Sequence, residues 1–233
     1  MHSRNICIIP ARGGSKRIPR KNIKNFLGKP IITYSIEQAL KSGLFEEVMV
    51  STDDSEIANI ALKSGANVPF FRTEKNSNDF ATTAEVLIEV IKNYSENGFE
   101  YDNICCCYPT APFVNTDRLI EGFELLNKEQ VDSVLPISSF DYTIWRSLKE
   151  NENSYLSFNW DEFEDSRSQD LPQVFHDAGQ WYWIKTKSLF THNKIITPFT
   201  RGLLLSSLEV QDIDNIHDWK IAELKYEYLQ SIK

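Results

Sequence analysis

The chain has 233 residues, and its 25 lysines and arginines against 33 aspartates and glutamates give a formal net charge of −8. A hydrophobic content of 41% with 25% charged residues excludes a disordered chain, and no apolar run approaches the roughly 18 residues of a membrane helix. The length suits one domain over residues 1–233 carrying an insertion at about 138–174, and it is enough to bury a sizeable core.

In chain order, residues 5–9 (NICII) form a short apolar, β-branched run that ends at Pro10, the pattern of a buried strand. The next segment, PARGGSKRIPRKN, holds two adjacent glycines, two prolines and five cations, and reads as a loop. Helical spacing over 31–40 stops at Gly43; residues 47–51 (EVMVS) predict a second strand, and Asp54 or Ser55 is placed to cap a helix ending near Gly65. A third strand is predicted at 68–71, a helix at 84–91, a fourth strand at 103–108, a helix at 116–126 and a fifth strand at 132–137. This alternation predicts an α/β fold with a mostly parallel, doubly wound sheet, whose ligand lies beyond the carboxyl ends of the strands. Between 138 and 174 the rhythm breaks into two short aromatic strands around a polar tip at 149–154, which predicts an antiparallel arm. Its Trp145, Tyr155, Phe158 and Trp160 are best buried against another subunit, the alternative being a lid on the same chain. Strands resume at 180–185 and 203–206, and an amphipathic helix over 217–229 closes the chain.

Charge placement says more than net charge. Residues 1–36 contain eight cations and no acid, leaving 17 cations against 33 acids in the rest of the chain. A basic segment on an acidic body predicts a local anion site and opposes nucleic-acid binding, which needs a broad basic face. The N-terminus reaches Gly14 without a long apolar core, and Cys7, Cys105, Cys106 and Cys107 form no disulfide framework. Both predict a reduced, cytoplasmic protein without a leader.

Within the basic segment, Arg12, Gly13, Gly14, Ser15, Lys16, Lys21 and Asn22 combine close backbone approach with several cations, as a triphosphate of about four negative charges requires. Neither Gly-x4-Gly-Lys-Ser/Thr nor Gly-x-Gly-x-x-Gly is present, which removes support from a P-loop kinase and from a dinucleotide-binding dehydrogenase. Asp212 and Asp214, two apart after an apolar run, can share one hard cation such as Mg²⁺; the alternative is a polar turn with Asp214 or Asn215 capping the last helix. The polar stretch 72–83, with Arg72, Asp79, Ala81 and Thr83, offers groups for a base edge, although capping by Thr82 or Asp79 explains it equally well. His2, His176, His192 and His217 show no metal-ligand spacing and no partner for a Ser or Cys nucleophile.

Taken together, IPARGGSKRIPRKN (9–22), STDD (51–54), the 72–79 stretch, YPTAPF (108–113), RSQDLP (167–172) and DIDN (212–215) resemble, in order, the motifs of the cytidylyltransferases that make CMP-linked nine-carbon sugar acids. The resemblance implies a Rossmann-like nucleotidyltransferase fold and a homodimer joined through the inserted arm. Carried over by position, Arg12, Lys16, Lys21 and Asn22 hold the CTP phosphates, with Arg12 and Lys21 catalytic. Arg72, Ala81 and Thr83 contact the cytidine, Asp212 and Asp214 hold Mg²⁺, and Arg167 approaches the sugar carboxylate, in cis or across the dimer.

Three departures from the sialic acid branch fall where the family reads the acceptor: Tyr108 in place of Gln, Val114 in place of Arg, and Ala178–Tyr182 in place of Asn-Gly-Ala-Ile-Tyr. They resemble the pseudaminic acid branch, with Tyr108, Gln180 and Trp181 in the acceptor site and Trp183 adding to an aromatic pocket. The implied reaction is in-line attack of the sugar's anomeric hydroxyl on the α-phosphate of CTP, giving CMP-pseudaminic acid and pyrophosphate. Sialic, legionaminic and 3-deoxy-octulosonic acids stand as alternative acceptors, and a non-catalytic nucleotide-binding regulator or a nucleic-acid module as alternative classes.

Overall fold

A computed structural model describes residues 3–78 and 80–232; His2 and Asp79 lie outside the described residues. In chain order the elements are β1 (Asn5–Pro10), β2 (Asn25–Phe26), β3 (Lys29–Pro30), α1 (Ile31–Ser42), β4 (Glu47–Ser51) and α2 (Ser55–Lys63). These are followed by α3 (Thr83–Glu96), β5 (Asn103–Cys107), α4 (Thr116–Leu126), β6 (Ser133–Ser139), β7 (Leu148–Glu150) and β8 (Leu156–Phe158). The chain ends with β9 (Phe175–Asp177), β10 (Trp181–Lys185), α5 (Thr186–His192), β11 (Thr200–Leu204) and α6 (Ile216–Ser231).

The central sheet has the order β11-β6-β10-β5-β1-β4, with β9 also paired to β6. Strands β4, β1, β5, β6 and β11 run one way, and β10 runs against both β5 and β6. The sheet is therefore mixed, a parallel frame with one reversed strand inside it. An apolar run such as QWYWIK carries no mark of its direction, so the reversal was invisible to pattern reading. Strands β9 and β10 form one interrupted strand, bent at Gly179, whose φ of +63° is the left-handed region that glycine enters without strain.

Side-chain alternation along β1 and β5 separates two cores. Cys7, Ile9, Cys105 and Cys107 face Ile32, Ile36, Ile57, Ala61 and Leu119 of α1, α2 and α4, while Ile6, Ile8, Ile104 and Cys106 face Leu87, Val90 and Ile91 of α3. All four cysteines are buried and free. A third cluster joins Ile18 of the basic loop, Phe26, Ile31, Ile213 and Trp219, and this places the two ends of the chain together beside the carboxyl ends of the strands.

Two expected elements differ. Residues 68–71 form no strand: Asn67 bridges β4, with its N–H donating to the Val48 carbonyl at 2.9 Å, and Pro69, two residues on, has no N–H to continue the ladder. Helix α6 carries apolar residues on more than one face, Trp219 and Ala222 buried but Leu224 and Tyr228 exposed, so it is not simply amphipathic. The arm is present as β7 paired antiparallel with β8, and Trp145 packs at 5.4 Å against both Trp160 and Phe163. Tyr142 and Tyr155 on the arm are 88% and 71% exposed. No helix among the described residues is long and apolar enough to cross a membrane.

Candidate active site at the strand ends

Strand β1 delivers the chain into the basic loop at the sheet's carboxyl edge. Ala11 N–H donates to the Ser51 carbonyl at 2.9 Å, so the loop starts against the end of β4. Asn22, itself buried, closes it by donating from Nδ2 to the Arg12 carbonyl at 2.9 Å. Gly13 N–H donates to Asp53 Oδ1 at 2.8 Å, and a Cβ on Gly13 would sit 2.7 Å from Asp54 Oδ2, closer than any side chain tolerates. Glycine suits position 13 because the backbone there passes against the Asp54 side chain that caps α2.

A cleft of about 510 Å³ opens above this loop, and Arg12, Ser15, Lys16, Arg17, Lys21 and Asn22 line its floor. The opposite wall brings Arg72, Ala81, Thr83 and Tyr108 to the same space. Arg72 is held rigidly there: it is 9% exposed, its Nε donates to Ser51 Oγ at 3.0 Å and its Nη2 to the Ser51 carbonyl at 2.5 Å. Burial lowers its pKa from the ordinary guanidinium value, while the nearby Asp53 and Glu89 carboxylates oppose that shift. Thr82 caps α3 in a capping box with Glu85, which leaves Thr83 to face the cleft. Thr83 Oγ1 lies 3.1 Å from the Tyr108 hydroxyl.

Lys21 connects the loop to the other candidate motif. Its Nζ donates to the Ile213 carbonyl at 2.7 Å; desolvation lowers its pKa, while Asp214 and Asp212 pull it back up. Asp214 lines the cleft and pairs with Arg17 at 2.7 Å. Asp212 lines an adjacent cavity of about 460 Å³ with Ser138, His176 and Lys225. Helix α6 is capped by Asn215, the capping alternative, in a box with Asp218, so neither Asp212 nor Asp214 is used as the cap. Carboxylates are the hard oxygen donors that Mg²⁺ takes, with phosphate oxygens and water completing the set. In donor type the two aspartates fit that ion, although Asp214 lies on the cleft and Asp212 on the neighbouring cavity.

Three expected acceptor residues stand elsewhere. Gln180 is 2% exposed and donates from Nε2 to the Glu209 carbonyl at 2.5 Å. Trp181 is fully buried, packed where a Cβ on Gly122 would meet its ring at 2.5 Å. Both line neither cavity, because the register of β10 on β5 turns Trp181 and Trp183 toward α4 and sends Tyr182 to the other face. Arg167 is exposed on the arm and pairs with Asp170 at 2.7 Å, outside the cleft of its own chain. Pattern reading missed Tyr182: its ring packs at 5.2 Å from Tyr108, and its hydroxyl donates to Asp177 Oδ2 at 2.7 Å. Strand alternation was the signal that could have found it.

A sequence model of the family described as cytidylyltransferase matches residues 6–205. Over 223 residues the chain is 43% identical to the pseudaminic acid cytidylyltransferase of Campylobacter jejuni subsp. jejuni serotype O:2, covering 96% of each chain. It is also 30% identical over 223 residues to the CMP-N,N'-diacetyllegionaminic acid synthase of Legionella pneumophila, covering 94% of this chain and 95% of the relative. In fold it is similar to a CMP:2-keto-3-deoxy-manno-octonic acid synthetase complexed with CTP, at a TM-score of 0.71 and 16% identity over 98% and 100% of the two chains. With the family model matching residues 6–205 and 43% identity over 96% of the chain to a relative, the chain belongs to the cytidylyltransferase family.

Proposed function

We propose that this cytidylyltransferase activates pseudaminic acid, forming CMP-pseudaminic acid and pyrophosphate from CTP. Joint lining of one cleft by Arg12, Lys16, Lys21, Arg72 and Thr83 carries the nucleotide half of this reading, and the full-length identity of 43% to a pseudaminic acid cytidylyltransferase supports the acceptor. Tyr108 on the cleft wall is the acceptor-side residue in reach of both halves.

In this mechanism the cleft works by position and charge. Arg12, Lys16 and Lys21 hold the phosphates, and Asn22 holds the loop that presents them. Arg72 and Thr83, with the backbone at Ala81, hold the cytidine. The sugar's anomeric hydroxyl attacks the α-phosphorus in line and gives up its proton to water, the bond to the bridging oxygen of the β-phosphate breaks, and pyrophosphate leaves with the charge that Lys21 and Arg12 take up. Asp212 and Asp214 would hold Mg²⁺, which neutralises phosphate charge when bound. Arg17 pairs with Asp214 in the structure, so Asp214 would give up that contact to hold the ion. Exposed Tyr142, Tyr155 and Leu156 support an arm that docks on a second copy, which is the route by which Arg167 reaches an acceptor carboxylate. The reading also places the enzyme in the cytoplasm, where CTP is made. Pyrophosphate release from CTP, assayed with pseudaminic acid present and absent, tests it: release that depends on the acid is expected, and release with no acid-dependence overturns it.

A further inference from the structure

The cations of the basic loop do not share one task. Arg20 is not among the residues lining the cleft. It turns outward, with Nη1 2.5 Å from Asp54 Oδ2 and Nη2 2.9 Å from Asp54 Oδ1, a two-pronged pair. The same Nη2 lies 2.5 Å from Glu56 Oε2. Its backbone is left-handed, with φ of 54° and ψ of 32°, a conformation a residue with a Cβ adopts only where its surroundings hold it.

Asp54 is the joint of this arrangement. Its Oδ1 accepts from the Glu56 and Ile57 N–H groups at 3.0 Å each and so caps α2. On its other side it forms the surface against which Gly13 lies, since a Cβ there would meet its Oδ2 at 2.7 Å. Gly13 is fastened next door, to Asp53. The Arg20 guanidinium lowers the Asp54 pKa to about 2, so the carboxylate is ionised at neutral pH. One carboxylate thus touches the helix start, the far end of the loop at Arg20 and its near end at Gly13. Exposed ion pairs contribute little as a rule, but two-pronged geometry on a capping carboxylate is the exception.

We propose that Arg20 is a positioning residue for the nucleotide: through Asp54 it clamps the two ends of the basic loop together in the shape that receives the CTP phosphates. This rests on the reading of the 12–22 loop as the phosphate site. Without Arg20, Asp54 and Glu56 stand as two uncompensated carboxylates beside a loop that must accept about four negative charges.

The test uses the full chain, with CTP affinity by calorimetry, steady-state kinetics, and Lys21→Ala as the site control. Arg20→Ala and Arg20→Gly should each weaken CTP binding and raise its KM about tenfold, the scale of a lost charge-assisted hydrogen bond. Saturating kcat and the KM for the acceptor should stay within about threefold. Arg20→Lys, which keeps the charge and loses the fork, should fall between. Arg20→Gly separates the clamp from the backbone, because glycine takes the left-handed conformation freely. Asp54→Asn, which still caps α2, should reproduce the loss even where an Arg20 variant folds poorly. Native CTP affinity in Arg20→Gly and Asp54→Asn, with Lys21→Ala impaired, overturns the clamp. Native affinity in Lys21→Ala overturns the phosphate site and the clamp with it.

Discussion

Lys21 Nζ donates a 2.7 Å hydrogen bond to the backbone carbonyl of Ile213, tying the basic loop to a segment 192 residues further along the chain. Ile213 is itself buried, in the cluster that also holds Ile18 and Trp219, so the bond is anchored at both ends. It places a partly desolvated ammonium group between the loop and the aspartate pair. A lysine held in this way is preorganised for charge that develops on the phosphates.

Lys21→Ala is therefore expected to lower turnover at least about 100-fold, the scale of losing one transition-state donor. Pyrophosphate release at saturating CTP measures it. Activity within a few fold of the parent enzyme contradicts the role.

Asp212→Asn combined with Asp214→Asn should remove the Mg²⁺-dependent rate while leaving the circular dichroism spectrum and melting temperature close to those of the parent protein. Asn at 214 also releases Arg17 from its ion pair, an exposed contact of small energetic weight. Unchanged dependence of the rate on Mg²⁺ concentration rejects the metal site.

Trp181 belongs to the core, and Trp181→Ala should destabilise the fold by about 3–5 kcal/mol, the range for a large ring removed from a packed interior. Trp181→Phe should cost far less, since the buried indole Nε1 has no hydrogen-bond partner. Urea unfolding of the two variants separates these cases. A parent-like midpoint for Trp181→Ala would place the ring outside the core.

The Arg20–Asp54 pair makes a pH-dependent contribution to stability. The Asp54 pKa is lowered to about 2 from the ordinary carboxylate value. Because the folded value is depressed, the contribution is fully present above about pH 4 and is lost as pH falls toward 2. The difference in unfolding free energy between the parent protein and Asp54→Asn should shrink across that window. A difference that stays constant from pH 6 to pH 2 rejects the pair as its source.

Tyr155→Glu with Leu156→Glu puts charge on the exposed tip of the arm. If the arm joins two copies, sedimentation should show a dimer for the parent chain and a monomer for this variant. If both sediment alike, the arm does not join the subunits.

Much of this molecule is legible in its sequence. The helix at Thr116–Leu126 and the strand at Glu47–Ser51 match their pattern to the residue, because each is bounded by strong local signals: Asn115 caps one, and Asp54 begins the helix after the other. The basic segment was legible as a loop for the same reason, since adjacent glycines and two prolines break both helix and strand. What stayed hidden depends on pairing between distant segments. Nothing in QWYWIK states that it runs against its neighbours; alternation separates Trp181 from Tyr182, but the sequence does not say which of the two faces is turned toward Tyr108. The task of Arg20 was hidden too, because composition counts a cation without telling whether it faces a ligand or a carboxylate.

The central claim is best tested by pyrophosphate release from CTP with pseudaminic, N-acetylneuraminic and N,N'-diacetyllegionaminic acids compared side by side in Mg²⁺. The account predicts turnover with pseudaminic acid and little with the other two. Turnover confined to either of the others contradicts the acceptor assignment and leaves the nucleotide site standing; release with none of the three contradicts the proposed reaction itself.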